Sequence, residues 1–330
     1  MRKITGLAGL CVLAAALLAS HVRADDRLDE ARRAQGRGSD LYRDGDFPGA
    51  LREFERAVAL APKAPLAWFN RGLAHRALKN CPAAIKDFSR SLELRPDDFN
   101  ALYQRAGCLA ATQAAQRAVE DYSRAISIPG RIDARFLAFY GRADVYRRLG
   151  RLEEADADYT QVIALRTDTT ARRSRAWVNF YRGRWRESFQ DSARHLHETE
   201  GKEPDAAYSV MLGVLALRRG GDMQQARKFL NEWSARLKVG PWPGAILAYL
   251  DSGADAALLL VASNPAETTE ARAYVGSNLL ALREVPRGVE LLRQVVREGD
   301  PSYLEYDLAY HELRRLGLAR PQDHKRWPAS

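Results

Sequence analysis

The stretch RGLAHRALKNCPAAIKDFSRSLELRP, residues 71–96, decides the fold. Its landmarks are Gly72, Ala84, Phe88, Ser91 and Pro96, and each has a counterpart 34 residues away. Gly38 and Ala106 bracket Gly72, Ala50 and Ala118 bracket Ala84, Phe54 and Tyr122 bracket Phe88, Ala57 and Ala125 bracket Ser91, and Pro62 precedes Pro96. The series goes on after a three-residue insertion at Ala143, Gly150, Ala155 and Tyr159, then one residue short at Ala176, Gly183 and Ser188. A period of this length marks a supersecondary unit that buries its apolar face only by stacking on the next copy.

Each unit reads as two antiparallel helices. Small residues sit where the backbones approach, aromatic residues fill the gap between neighbouring pairs, and Pro stops the second helix. Gly45, Gly150 and Gly183 fall at the turn between the two helices. These columns resemble the tetratricopeptide repeat over roughly residues 31–200. The resemblance implies an all-α fold, an α-solenoid of helical hairpins closed by a C-terminal capping helix.

Further along, the pattern is irregular but still paired. Residues 208–219 and 223–237 suit a sixth hairpin, residues 245–250 and 254–262 a shortened one, and residues 270–282 and 286–297 a last full one. The run Gly240-Pro241-Trp242-Pro243-Gly244 breaks the helical pattern between them. Residues 302–316 predict the cap, with Tyr303, Tyr306, Tyr310 and Leu313 at helical spacing. The expected organisation is a signal segment at 1–24, a regular array at 25–200, degenerate repeats and cap at 201–316, and a tail at 317–330.

The first 24 residues read as an address. Arg2 and Lys3 precede an apolar run from Leu7 to Ala19, and Val22-Arg23-Ala24 places a cut before Asp25. The run is shorter than the roughly 18–20 residues of a membrane span, so cleavage and release to the periplasm or exterior are expected, with no transmembrane segment afterwards. Cys11 lies in the middle of that run rather than at its end, which argues against lipidation. Cleavage removes three of the 51 basic residues and none of the 42 acids, so the net charge falls from +9 to +6. Such a balance fits acidic partners or the anionic envelope better than nucleic acid. With 28% charged and 46% hydrophobic residues, the chain is neither disordered nor low in complexity.

Little in the sequence points to catalysis. His195 and His197 are two apart and face different sides of a helix, and His311 before Glu312 lacks the second His of a zinc-protease helix. No nucleophile elbow, phosphate loop or dinucleotide fingerprint is present. Acid pairs such as Asp97-Asp98 and Glu153-Glu154 lie at helix starts, where negative charge suits the dipole. The expectation is a protein that is not an enzyme and calls for no metal or cofactor. Cys81 and Cys108 should occupy the same end of the stack. They are either a disulfide or two buried thiols.

The first helix of each unit lines one face of the array, and its positions select candidate binding residues. These are Tyr42, Phe69, Asn70 and Arg76, with Gln35, in the first two units, and Asn100, Tyr103, Tyr140 and Arg147, with Asp144, in the next two. Arg173 and Trp177, with Phe180, follow in the fifth. Aromatic rings interleaved with Arg suit a peptide-binding groove, although any one ring could equally be packing between units. The carboxylate clamp of chaperone-binding repeats is matched only at Asn70, so that mode is not expected.

Trp242-Pro243-Gly244, Ala248-Tyr249-Leu250, Ala273-Tyr274-Val275-Gly276, Glu305-Tyr306 and Glu312-Leu313 together are similar to the NlpI-like family of periplasmic tetratricopeptide proteins. That resemblance implies an adaptor of the bacterial envelope, whose partners would be an envelope protease, a peptidoglycan hydrolase or their substrates. The alternatives are an enzyme or a sugar or lipid carrier with a site around Trp242, Tyr249 and Tyr274, and a self-assembling protein that forms a homodimer through residues 28–38.

Overall fold

The computed structural model describes residues 26–112, 114–130, 132–166, 168–301, 303–320 and 323–324, so the signal segment expected at 1–24 lies outside the described residues. Regular structure among them is helical, with no strand. The all-α class expected from the repeat is the one observed. The chain divides into two compact units, the first ending at Ala138 and the second beginning at Phe139. This division falls inside the stretch that the spacing assigns to one regular array.

The first unit contains α1 (26–43), α2 (Phe47–Leu60), α3 (Pro65–Ala77), α4 (Cys81–Leu94), α5 (Phe99–Ala111) and α6 (Ala115–Ser127). The division lies within α7 (Ile132–Arg148). The second unit continues with α8 (Leu152–Leu165), α9 (Thr169–Tyr181), α10 (Trp185–Thr199), α11 (Ala206–Arg219) and α12 (Met223–Arg236). The shorter α13 (Pro241–Ser252) and α14 (Asp255–Val261) follow, then α15 (Pro265–Ala281), α16 (Val285–Glu298) and α17 (Leu304–Arg315).

Local chemistry sets these boundaries. Asp46, Asn80, Asp98, Asp168 and Asp222 each accept a backbone N–H from the first turn of the helix they precede. The turn inside each hairpin needs a left-handed residue, and Gly45, Gly150 and Gly183 supply it with φ of 85°, 69° and 74°. In the second hairpin Lys79 takes that place at φ 60°, a conformation that disfavours a side chain.

Packing between the two helices of a unit follows a 16-residue offset. A Cβ on Gly38 would lie 2.6 Å from the Phe54 ring, and one on Gly72 would lie 2.7 Å from the Phe88 ring. Gly213 against Phe229 at 2.7 Å and Gly276 against Leu292 at 2.8 Å show that the rule holds in the irregular half. The same offset carries an ion-pair ladder. Arg71 meets Asp87 at 2.6 Å, Arg105 meets Asp121 at 2.7 Å, Arg142 meets Asp158 at 2.7 Å and Arg175 meets Asp191 at 2.7 Å. All four contacts are two-pronged, which locks the guanidinium against a nearly buried carboxylate. Arg37 and Glu53 start the series at 2.8 Å on a more exposed edge.

Three expectations change. The break expected at 240–244 lies earlier, because residues 237–240 are non-helical with Gly240 extended, α13 starts at Pro241, and within it Trp242 leaves helical geometry (φ −117°, ψ 120°) at a cis bond to Pro243. The last full hairpin begins at Pro265 rather than 270, since Asn264 caps Glu267 and Pro265 suits the first turn. Helix α17 packs on α15 and α16 as a cap would, but it is more than a cap. It is buried continuously from Glu305 to Leu313, polar residues included. The expected tail also returns to it, for His324 is buried with Nε2 3.0 Å from Asp307 Oδ1.

Candidate functional site

In the first unit, the candidate residues come from α1, α3 and α5. Their rings do two jobs. Tyr42 packs edge-on to Phe47 at 5.1 Å, Phe69 lies 5.8 Å from Phe88, and Tyr103 lies 5.9 Å from Tyr122 and 6.2 Å from Phe99. All three stay half-buried, with one side of each ring committed to the hairpin core. Arg76 reaches from α3 to hydrogen-bond Gln104 on α5, bridging adjacent first helices. Half-buried Asn70 and exposed Asn100 have no side-chain hydrogen bond among the described residues. This face therefore offers rings, amides and a guanidinium on a fixed frame.

Cys81 and Cys108 meet in the same unit, against Ala84 and Phe88. Both are free thiols. Burial, then the neighbouring Cys81, pushes the Cys108 thiol up to about 12.

In the second unit the candidates separate. Arg147 is not a groove residue. It is buried and donates to Asp307 of α17 at 2.5 Å, with Asp144 at 3.7 Å, so its charge serves to seat that helix. Its place beside Asp307 raises its pKa against the opposing effect of burial. Around it Tyr181 stacks on His311 at 4.7 Å and donates to the Leu304 carbonyl at 3.1 Å. The first-helix face around Arg147 is thus occupied by the chain's own α17. Phe180 is buried as well. Tyr140 remains half-buried, 3.3 Å from Ser174 Oγ and edge-on to Tyr159.

Arg173 and Trp177 behave differently, because they line a cavity of about 270 Å³ together with Asp205, Tyr208, Glu270 and the start of α17. Arg173 pairs with Asp205. Glu270 Oε2 accepts from Tyr208 at 3.0 Å and from Trp242 Nε1 at 2.9 Å. Residue spacing could not have found Glu270, Glu305 and Tyr208, since their helices lie far apart in the chain. The Pro-Trp-Pro run was the available signal, because Trp242 orients Glu270.

The other residues of the ligand-site alternative, Tyr249 and Tyr274, belong to the solid core, where Tyr249 accepts from Asn278 at 2.8 Å and Tyr274 donates to Glu305 at 3.3 Å. His195 is a satisfied buried histidine, its two nitrogens 3.0 Å from Glu203 and 3.0 Å from Ser209. No His, Cys, Asp and Glu cluster among the described residues could hold a metal ion, and no described helix is long and apolar enough to cross a membrane.

Residues 36–93 and 75–133 match one tetratricopeptide repeat family profile, and residues 137–169 match a second. Among solved structures the chain is similar to PilW, a widely conserved type IV pilus biogenesis factor, with 17% identity over 66% of this chain and 98% of that one (TM-score 0.54). It is also similar to PilF of Pseudomonas aeruginosa, with 13% identity over 67% and 96% (TM-score 0.53). A third, from Parabacteroides merdae, has 16% identity over 86% and 99% (TM-score 0.54). At these identities the likeness concerns the fold. No curated protein matches the sequence significantly.

Proposed function

Because residues 36–133 and 137–169 match tetratricopeptide repeat profiles and the fold is that of such arrays, we propose that the chain is a non-catalytic scaffold of the bacterial envelope that holds an extended segment of another protein. The binding face is the first-helix face of the unit ending at Ala138. One observation carries this reading: Tyr42, Phe69 and Tyr103 stay half-buried on the same first helices as Asn70 and Asn100, whose amides have no partner among the described residues. Rigid rings supply contact area at low entropic cost, and free amides adapt to a peptide backbone. The envelope location rests on the pattern of residues 1–24. The C-terminal likeness to NlpI-like proteins adds presentation of the bound segment to a protease or cell-wall hydrolase.

Photocrosslinking in the producing cell tests the face. A crosslinker at Asn70 or Asn100 should capture a defined protein, and one at exposed Lys86 or Arg117 on the second helices should not. Equal capture from both faces, or loss of nothing in a Phe69→Ala/Tyr103→Ala variant that still folds, would remove this face from the mechanism.

A further inference from the structure

Glu305 and Glu270 are carboxylates without a cation. The chain carries 51 basic residues, and its buried acids are otherwise matched. Seven acidic side chains are buried among the described residues, and six of them, Asp87, Asp121, Asp158, Asp191, Asp307 and Glu312, make ion pairs with arginine. The seventh, Glu305, is 6% exposed and makes none among the described residues; its carboxylate is met by a long 3.3 Å bond from the Tyr274 hydroxyl and by a backbone N–H at the start of its own helix, both uncharged donors, and it lines the cavity between α9, α11, α15 and α17. Glu270 on the same wall has no ion pair either. Two neutral donors, Tyr208 and Trp242, fix its Oε2, and Oε1 has no donor among the described residues. Among the described residues the cation in the wall, Arg173, is already taken by Asp205.

The remaining walls suit the same charge. Trp177, Tyr208 and Tyr303 contribute aromatic surface, and ring faces attract ammonium and guanidinium groups. A volume of about 270 Å³ lies just below the roughly 300–1,000 Å³ of ordinary small-molecule pockets. That room fits one alkyl chain with a charged head better than a cofactor. Unpaired buried carboxylates are unfavourable unless protonated or joined by a cation. Burial foremost, and then the charge of Glu270, push Glu305 up to about 7.

We propose that this cavity binds an organic cation, the alkylammonium or guanidinium head of a small amine or of a partner's Lys or Arg side chain, between Glu270, Glu305 and the rings of Trp177, Tyr208 and Tyr303. The site is separate from the first-helix face of the unit ending at Ala138, and it stands or falls independently of the function proposed for that face.

Titration calorimetry on the full chain at pH 8 and low salt tests it. The probes are cadaverine, agmatine, a capped Gly-Arg-Gly peptide and its neutral citrulline counterpart. At least one cationic probe should bind, and the citrulline peptide should bind at least tenfold more weakly than the Arg peptide if the peptide is the binder. Binding of the free amines assigns a small-molecule source, and binding of the peptide alone assigns a protein side chain. Glu270→Gln and Glu305→Gln should each weaken the bound probe about tenfold. Exposed Tyr303→Ala should weaken it a few-fold, and it provides a folded variant if either Gln variant fails to fold. No binding of any cation, equal binding of the citrulline peptide, or unchanged affinity in the folded variants would overturn the proposal.

Discussion

At the scale of single residues, the repeat is a rule about volume, and glycine tests it from both sides. In a helix interior Ala is favoured over Gly by about 1 kcal/mol. Gly36 in α1 has nothing within 4 Å of an added Cβ, so Gly36→Ala should stabilise the protein by up to about 1 kcal/mol. Gly72 in α3 faces the Phe88 ring at 2.7 Å, and there the same change should destabilise by roughly 1–3 kcal/mol despite the better propensity. Urea denaturation of both variants reads the difference, and a Gly72→Ala protein as stable as Gly36→Ala would mean that the ring yields freely. The small and aromatic columns were legible because volume recurs at 34 residues whatever the neighbours are. The arginine ladder at a 16-residue offset was not, since an ion pair across two helices leaves no mark on hydropathy, and Arg and acids also populate the exposed faces. Lys79 was equally silent, because nothing in its side chain betrays the left-handed turn it occupies.

At the scale of elements, α17 is where prediction and structure part. Its Tyr and Leu spacing predicts a terminal cap, yet its Glu, Asp and His residues are buried too, on both faces. Their partners Arg147 and Arg219 lie 160 and 93 residues away, beyond any local pattern. Burying both acid and base gives the helix opposing pH limits. His311 is held down to about 3 by burial, from an ordinary value of 6.5, so it favours the folded state above pH 6.5 and that stability is lost as the pH falls towards 3. Glu305 is raised from 4.5 to about 7, so it disfavours the folded state increasingly as the pH rises from 4.5 to 7. The two slopes cancel between pH 4.5 and 6.5, so the contribution of α17 should be nearly level there, while His195 of α10, also held below its ordinary value by burial, leaves a shallow loss as the pH falls. Below that window the loss from His311 is no longer offset by Glu305, and Asp307, held below its ordinary value by His324 and Arg147 against the effect of burial, adds its own. Denaturant titrations from pH 3 to 8 should show both falls. Glu305→Gln should remove the upper one, worth under about 1 kcal/mol because it is confined to pH 6.5–7, and should uncover a rise from pH 4.5 to 6.5 that Glu305 masks, while His311→Phe should shrink the lower one. A wild-type profile that keeps rising from pH 6 to 8 would contradict the charge state assigned to Glu305.

At the scale of the whole molecule, the proposed export through residues 1–24 has a consequence in the core of the first unit. Cys81 and Cys108 were left between a bridge and two buried thiols by the sequence, because spacing placed them at one end of adjacent hairpins but could not say whether they touch. The structure puts them together as thiols against Phe88. Contact makes the outcome depend on compartment, since the periplasm oxidises such pairs and the cytosol keeps them reduced. A bridge would close a loop of about 28 residues and contribute roughly 3–4 kcal/mol by the chain-entropy estimate. With Cys108 pushed up to about 12, foremost by burial, its thiolate is scarce at neutral pH, so uncatalysed oxidation should be slow. Chain carrying residues 1–24 should therefore be bridged once exported, while chain lacking residues 2–24 should stay reduced and unfold at lower urea. Alkylation before and after reduction, followed by mass spectrometry, distinguishes the two. Free thiols in exported protein would show that Cys81 and Cys108 serve only as small packing residues. Bridged thiols in the retained chain would show that their state reports nothing about where the protein works.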